Sequence, residues 1–242
     1  MLREIKKKMV ILQNRAPFNR EVKEYFAGIE EEDWIYNNMK AEGSPLSKGQ
    51  VESILRGDVL SNVPIGEHLM AERLRVLLKK LWAFSEENID YGLRLTEGIY
   101  CILSGKDKAE YRKRSILVRE WDFSPALPAD IPGEMENFRH LMGEALRTGA
   151  MTEECFEYAA RLQLCLLKIL PYGEEDRLMA RAVTTYYLMC KGYPAAAPYV
   201  KEQEYNAMVS ACLKSGNCND LKDPYKQEIL AKLSLMMQLT AL

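Results

Sequence analysis

The chain has 242 residues, 48% of them apolar, with 33 basic and 35 acidic side chains and a formal charge of −2. That composition excludes wholesale disorder, and its near-neutral balance excludes a chain-wide nucleic-acid footprint. With 14 Gly and 10 Pro it is no low-complexity chain. Val, Ile and Thr are sparse beside Leu and Met, which lose little rotamer freedom in a helix, so an all-α fold is predicted.

The first residues, Met1 to Lys8, are charged, and the apolar stretch after them, Met9 to Leu12, is too short for a signal-peptide core. Nothing approaches the ~20 apolar residues of a membrane span, so no membrane association is expected. Arg20 to Glu42 reads as a helix, with Val22, Tyr25, Phe26, Ile29, Trp34 and Ile35 at three- and four-residue steps; Gly43 and Pro45 stop it. Ser47 with Gln50 forms a capping box for a short helix ending at Gly57. Val63 to Phe84 and Glu86 to Leu103 follow as helices, the first with Leu69, Leu74, Leu77, Leu78 and Leu81 on its apolar side.

Lys106 to Pro132 breaks the helical pattern. Basic residues flank Ser115-Ile116-Leu117-Val118, and prolines close the segment, which suggests a small β-hairpin. Helices resume over Ile131 to Arg147, from a Thr152 cap to Leu170, over Glu174 to Lys191, and over about Pro198 to Lys214 and Pro224 to Leu239. One helical domain over residues 1–242 is the simplest organisation.

The six cysteines, Cys101, Cys155, Cys165, Cys190, Cys212 and Cys218, form no CxxC pair, and four lie in helical runs. Reduced thiols in a cytoplasmic protein are expected. His68 and His140 have no Cys or His spaced for metal, so no metal site is expected from them, and no Ser-His-Asp or Cys-His set assembles. Tyr186 and Tyr187, with Val183 and Cys190, read as core.

Two segments together resemble the Fic family, whose members transfer AMP from ATP to protein hydroxyls and carry the motif HPFxDGNGRxxR. The corresponding stretch here is Leu170-Pro171-Tyr172-Gly173-Glu174-Glu175-Asp176-Arg177-Leu178-Met179-Ala180-Arg181, aligned without gaps. Gly192-Tyr193-Pro194 matches the turn that follows in the family, and Ala159-Ala160-Arg161-Leu162-Gln163 is similar to its AAxLH. Trp34 to Gly43 resembles the inhibitory-helix motif, with Asn38 where the family has Ser or Thr and Glu42 as its glutamate. Leu46 to Val51 resembles the LTxxEV that follows. The resemblance implies an all-α, Fic-like helical fold. Residues 1–60 would be an inhibitory-helix-like region and 61–215 a core with a target-binding flap at about 106–125. Residues 216–242 would form a C-terminal helix.

The departures bear on chemistry. The family's catalytic His is Leu170, which has no group to accept a proton, and neither Glu174 nor Tyr172 occupies that position. Gly-Asn-Gly becomes Glu175-Asp176-Arg177, and the first motif arginine falls on Leu178. A one-residue gap would bring Arg177 to that place, but with the wrong spacing to Arg181. Glu175 and Asp176 suit the start of a helix, yet a phosphate oxygen ~5 Å from either would be opposed by roughly 3 kcal/mol at an effective dielectric of ~20. Glu174, Glu175 and Asp176 also make an oxygen-rich cluster that a divalent cation would suit.

The expectation is therefore a degenerate Fic-fold protein without AMP transfer, kept as an interaction or regulatory module. No cofactor is expected, or ATP with Mg²⁺ if the site is still competent. The alternatives are a divergent adenylyltransferase-like enzyme and a nucleotide sensor, either inhibited by Glu42. The resemblance implies a Glu42–Arg181 ion pair and a protein partner bound through Ser115, Ile116, Leu117 and Val118. Oligomeric state is left open.

Overall fold

Helix starts fall where the caps put them. The Ser47 hydroxyl accepts the Gln50 N–H, and the Gln50 side chain accepts the Ser47 N–H. Thr152 accepts the Cys155 N–H in the same way. The computed structural model describes residues 1–87 and 92–241, and ten α-helices run through them. They are α1 (Leu2–Arg15), α2 (Arg20–Ala41), α3 (Lys48–Leu55), α4 (Ile65–Glu87), α5 (Leu93–Ser104), α6 (Ile131–Arg147), α7 (Glu153–Ile169), α8 (Asp176–Cys190), α9 (Glu202–Ser215) and α10 (Asn219–Leu239).

Helix α8 is the axis of the fold. Of its 15 residues 13 are buried, Tyr186 and Tyr187 among them, as expected of a helix enclosed on all sides. Helices α4, α5, α6 and α7 pack around it, and α10 crosses α1, α7 and α9. One apolar cluster takes residues from all ten helices. Among the described residues, no helix is long and apolar enough to cross a membrane, and all six cysteines are free thiols.

The all-α class is as the sequence predicts, with differences that have physical causes. Helix α1 was hidden by its charges. Ile5, Met9 and Leu12 form its buried stripe against α10, and Arg15 donates to Met237 O and Thr240 Oγ1 at the far end of α10. The start expected for α5 at Glu86 runs into residues 88–91, which lie outside the described residues. Leu69 and Tyr25, expected on apolar sides, are largely exposed. Helix α9 begins later than Pro198, because Ala195, Ala196 and Ala197 are buried in extended chain before it. Helix α10 begins ahead of Pro224, which it contains.

The expected β-hairpin is reduced to one isolated bridge, Val118 to Phe123, around a short 3₁₀ turn at Arg119–Trp121. Other main-chain groups of this region bond to the end of α7 and the loop after it. The Arg112 N–H goes to Pro171 O and the Ala126 N–H to Lys168 O. The flap is an extended loop pinned to the end of α7.

Candidate functional site

Helix α7 ends at Ile169, and the chain turns through Leu170 in the left-handed region at φ +44°, unusual for a residue with a side chain. Leu170 is 3% exposed and belongs to the core. The last carbonyls of a helix lack partners and carry its negative dipole end. Arg112 supplies the positive charge. Its Nε donates to Leu170 O at 2.7 Å, and its Nη2 to Ile169 O at 3.1 Å and Ala126 O at 2.5 Å. The same residue that reads as a solvated flap charge in the sequence is the staple between flap and loop. Beyond buried Pro171, the Tyr172 ring lies 4.5 Å from that of Tyr100 and 5.5 Å from that of Tyr111, and burial pushes its hydroxyl pKa up.

The carboxylate at the start of α8 does not face outward. Gly173, at φ +126°, turns the chain so that Asp176 Oδ2 accepts the N–H of Tyr172 at 2.8 Å and of Gly173 at 2.7 Å. Asp176 is fully buried, and burial pushes its carboxyl up to about 7. Glu175 is half-buried and also raised, by burial and then by Glu42, while Glu174 is exposed. The three carboxylates therefore diverge. No group of three His, Cys, Asp or Glu suited to a metal occurs among the described residues.

A polar ladder joins α2 to α8. Trp34, Asn38 and Glu42 are spaced by four and so share one helix face; Arg177, Arg181 and Thr185 do the same. Trp34 Nε1 donates to Thr185 Oγ1 at 2.9 Å. Arg181 Nε donates to Asn38 Oδ1 at 2.9 Å, and its Nη2 meets Glu42 Oε1 at 2.6 Å. The Arg181 side chain is 4% exposed and stacks on the Tyr205 ring at 4.7 Å. Its charge is stabilised against burial chiefly by Glu42.

Arg177 donates to Ala41 O and lies 3.4 Å from Glu42 Oε2 and 3.5 Å from Glu202 Oε1. Glu202 reaches it by crossing Gly43, where a Cβ would come 2.5 Å from Glu202 Oε2 and where φ is +85°. Buried Arg181 Nη1 and Arg177 Nε have no hydrogen-bond partner among the described residues. Glu202 and Tyr205 carried no motif in the sequence; the glycine at 43 was the one local sign of a close approach.

On the outer side of the loop lies a cleft of about 590 Å³, walled by Lys106, Tyr111, Arg114 and Ile116 and by Tyr172 and Glu174. Of the four predicted flap residues, Ser115 and Leu117 are exposed, Leu117 at 67%, while Ile116 and Val118 are half-buried against the core. The histidines lie apart from the site. His68 Nε2 accepts the Leu60 N–H, and His140 faces Glu136 at 3.2 Å.

This arrangement of helices has counterparts among solved structures. A Fic domain-containing signaling protein from Bacteroides thetaiotaomicron superposes with a TM-score of 0.80 at 18% identity, over 98% of this chain and 97% of its own. Residues 134–508 of Fic-1 from C. elegans superpose at 0.75 and 17% identity, over 98% of this chain and 70% of that one. A Fic family protein from Desulfovibrio desulfuricans G20 gives 0.62 at 14%, over 98% and 71%. No protein-family model matches the sequence, and no curated protein matches it. The chain has the Fic fold.

Proposed function

We propose that this Fic-fold chain does not transfer AMP and serves as a protein-interaction or regulatory module. The observation that carries the reading is the Asp176 carboxylate seated on the Tyr172 and Gly173 N–H groups. The chain's own carboxyl occupies the N–H groups where the loop would meet a ligand's phosphate, and in its ionised form, above about pH 7, it also opposes a second anion. Leu170 supports the reading because it can neither accept nor donate a proton. ATP with Mg²⁺, the pair the fold family implies, is disfavoured by these residues: Asp176 takes the loop N–H groups, and Arg181 is held by Glu42. Six free thiols support a cytoplasmic location.

The partner would be a protein segment laid against the flap. The exposed chain around Ser115 and Leu117 forms no ladder of its own, and main-chain pairing suits such a strand. A second reading, a nucleotide sensor held shut by Glu42, draws on the unpartnered Arg181 Nη1 and Arg177 Nε. Calorimetry with ATP and Mg²⁺ on the wild type and on Glu42→Gly separates the two. No binding to either protein is expected; micromolar binding confined to the variant would establish the sensor. Labelled ATP should leave the protein unlabelled, and Leu170→His alone should not create transfer. Robust labelling by that variant would overturn the assignment of Asp176 as a blocking charge.

A further inference from the structure

Away from the α8 loop, α1, α2 and α10 meet the Gly192-Tyr193-Pro194 turn around a cavity of about 310 Å³, within the size range of small-molecule sites. Leu12, Phe18, Phe26, Leu233 and Met236 make its wall apolar. Glu30 is the one charged residue in that lining, and it is 7% exposed. Its Oε1 accepts the Ala195 N–H at 2.8 Å, and it has no ion pair among the described residues. The nearby cation, Lys232 on α10, lies 3.7 Å from Asp33 and 3.6 Å from Glu228 and reaches Glu30 only through its charge, with no ion pair to it among the described residues. Three carboxylates thus share one buried lysine, and Lys48 at 2.6 Å from Asp33 balances one more. Of the three carboxylates, Glu30 is the one without an ion pair among the described residues. A buried carboxylate without a counter-ion is costly, and a ligand that brings one into an apolar cavity removes that cost.

We propose that this cavity is a binding site for a small organic cation with an apolar body, an aryl- or alkylammonium, whose nitrogen pairs with Glu30. The hydrocarbon part takes the wall of α1, α2 and α10, and occupancy ties the N-terminal helix to the C-terminal one. Burial holds the Glu30 carboxyl at about 7, against the opposing pull of Lys232 and with a small push from Asp33; α1 presents only the uncharged Gln13 to the cavity. Below that pH the site must first lose a proton, so affinity falls as the solution is acidified.

The test uses the full chain, with 2-phenylethylamine as probe and 2-phenylethanol as its uncharged counterpart, by calorimetry at pH 8 and pH 6. Saturable one-site binding of the amine is expected at pH 8, about tenfold weaker at pH 6 and at least about tenfold weaker for the alcohol. Glu30→Gln should lose about tenfold or more in amine affinity. Leu12→Trp, which fills the cavity and leaves Glu30 in place, should lose binding of both compounds. Absence of saturable binding by the wild type below about 1 mM would overturn the site, as would amine affinity unchanged in Leu12→Trp. Equal affinity for amine and alcohol would overturn the role of Glu30.

Discussion

The two sides of the 171–175 loop differ in how their charges are answered. On the inner side, Asp176 is met by two main-chain N–H groups, Arg181 by Asn38 and Glu42, and Arg177 by Glu42 and Glu202. On the outer side, Arg114, Ser115 and Leu117 face solvent around an open cleft. The charged groups of the inner side are largely engaged by the chain itself, and those of the outer side are left to solvent. The difference teaches that a single buried carboxylate can take up the N–H groups of a loop from within while the surface beside it stays open.

The sharpest break of the comparison is Arg181→Ala. Removing one member of a buried ion pair costs about 3–5 kcal/mol, and the low end applies because Arg177 still faces Glu42, which is itself partly exposed. Chemical denaturation should report a loss of about 3 kcal/mol, with the melting temperature lower by about 6–12 °C. Arg112→Ala comes next. It strips the donors from Ile169, Leu170 and Ala126 carbonyls, which should cost about 2 kcal/mol and free the flap. Faster hydrogen exchange over residues 108–118 than in the wild type would register that release.

Asp176→Asn tests the inner side by pH. The carboxyl is raised from 3.8 to about 7 in the folded state, so the stability linked to this group is fully present below about pH 4 and is lost as pH rises through 7. Asparagine keeps an acceptor for the two N–H groups and does not titrate. The variant should therefore gain on the wild type between pH 5 and pH 8, by about 2 kcal/mol. Glu30 titrates in the same window in both proteins and cancels from the difference. The smallest effect on stability belongs to the outer side. Leu117→Asp, at a residue 67% exposed, should change unfolding by less than about 0.5 kcal/mol while abolishing capture of a flap-binding partner.

Much of the helical frame was legible before any coordinates. Ser47 with Gln50, and Thr152, announce helix starts because caps are local chemistry. Glu42 and Arg181 were legible as a pair from their resemblance to a motif, and they meet at 2.6 Å. The rest depends on chain reversals that no short window reports. Asp176 could be placed at a helix start, but its inward turn depends on Gly173 and on where Tyr172 packs. Arg112 stands 57 and 58 positions from the carbonyls it holds, among basic neighbours that are solvated. The stripe of α1 was masked because Ile5, Met9 and Leu12 alternate with lysines that stay in water.

The central claim is that a carboxyl of the chain's own, at the start of α8, takes the loop N–H groups in place of a ligand's phosphate. The most direct measurement is the crystal structure of Glu42→Gly soaked with ATP and Mg²⁺, which frees Arg181 and leaves Asp176 to decide. Asp176 should remain within hydrogen-bond distance of the Tyr172 and Gly173 N–H groups, with no phosphate density beside them. Phosphate oxygens on those N–H groups, with the Asp176 side chain swung out, would contradict the account.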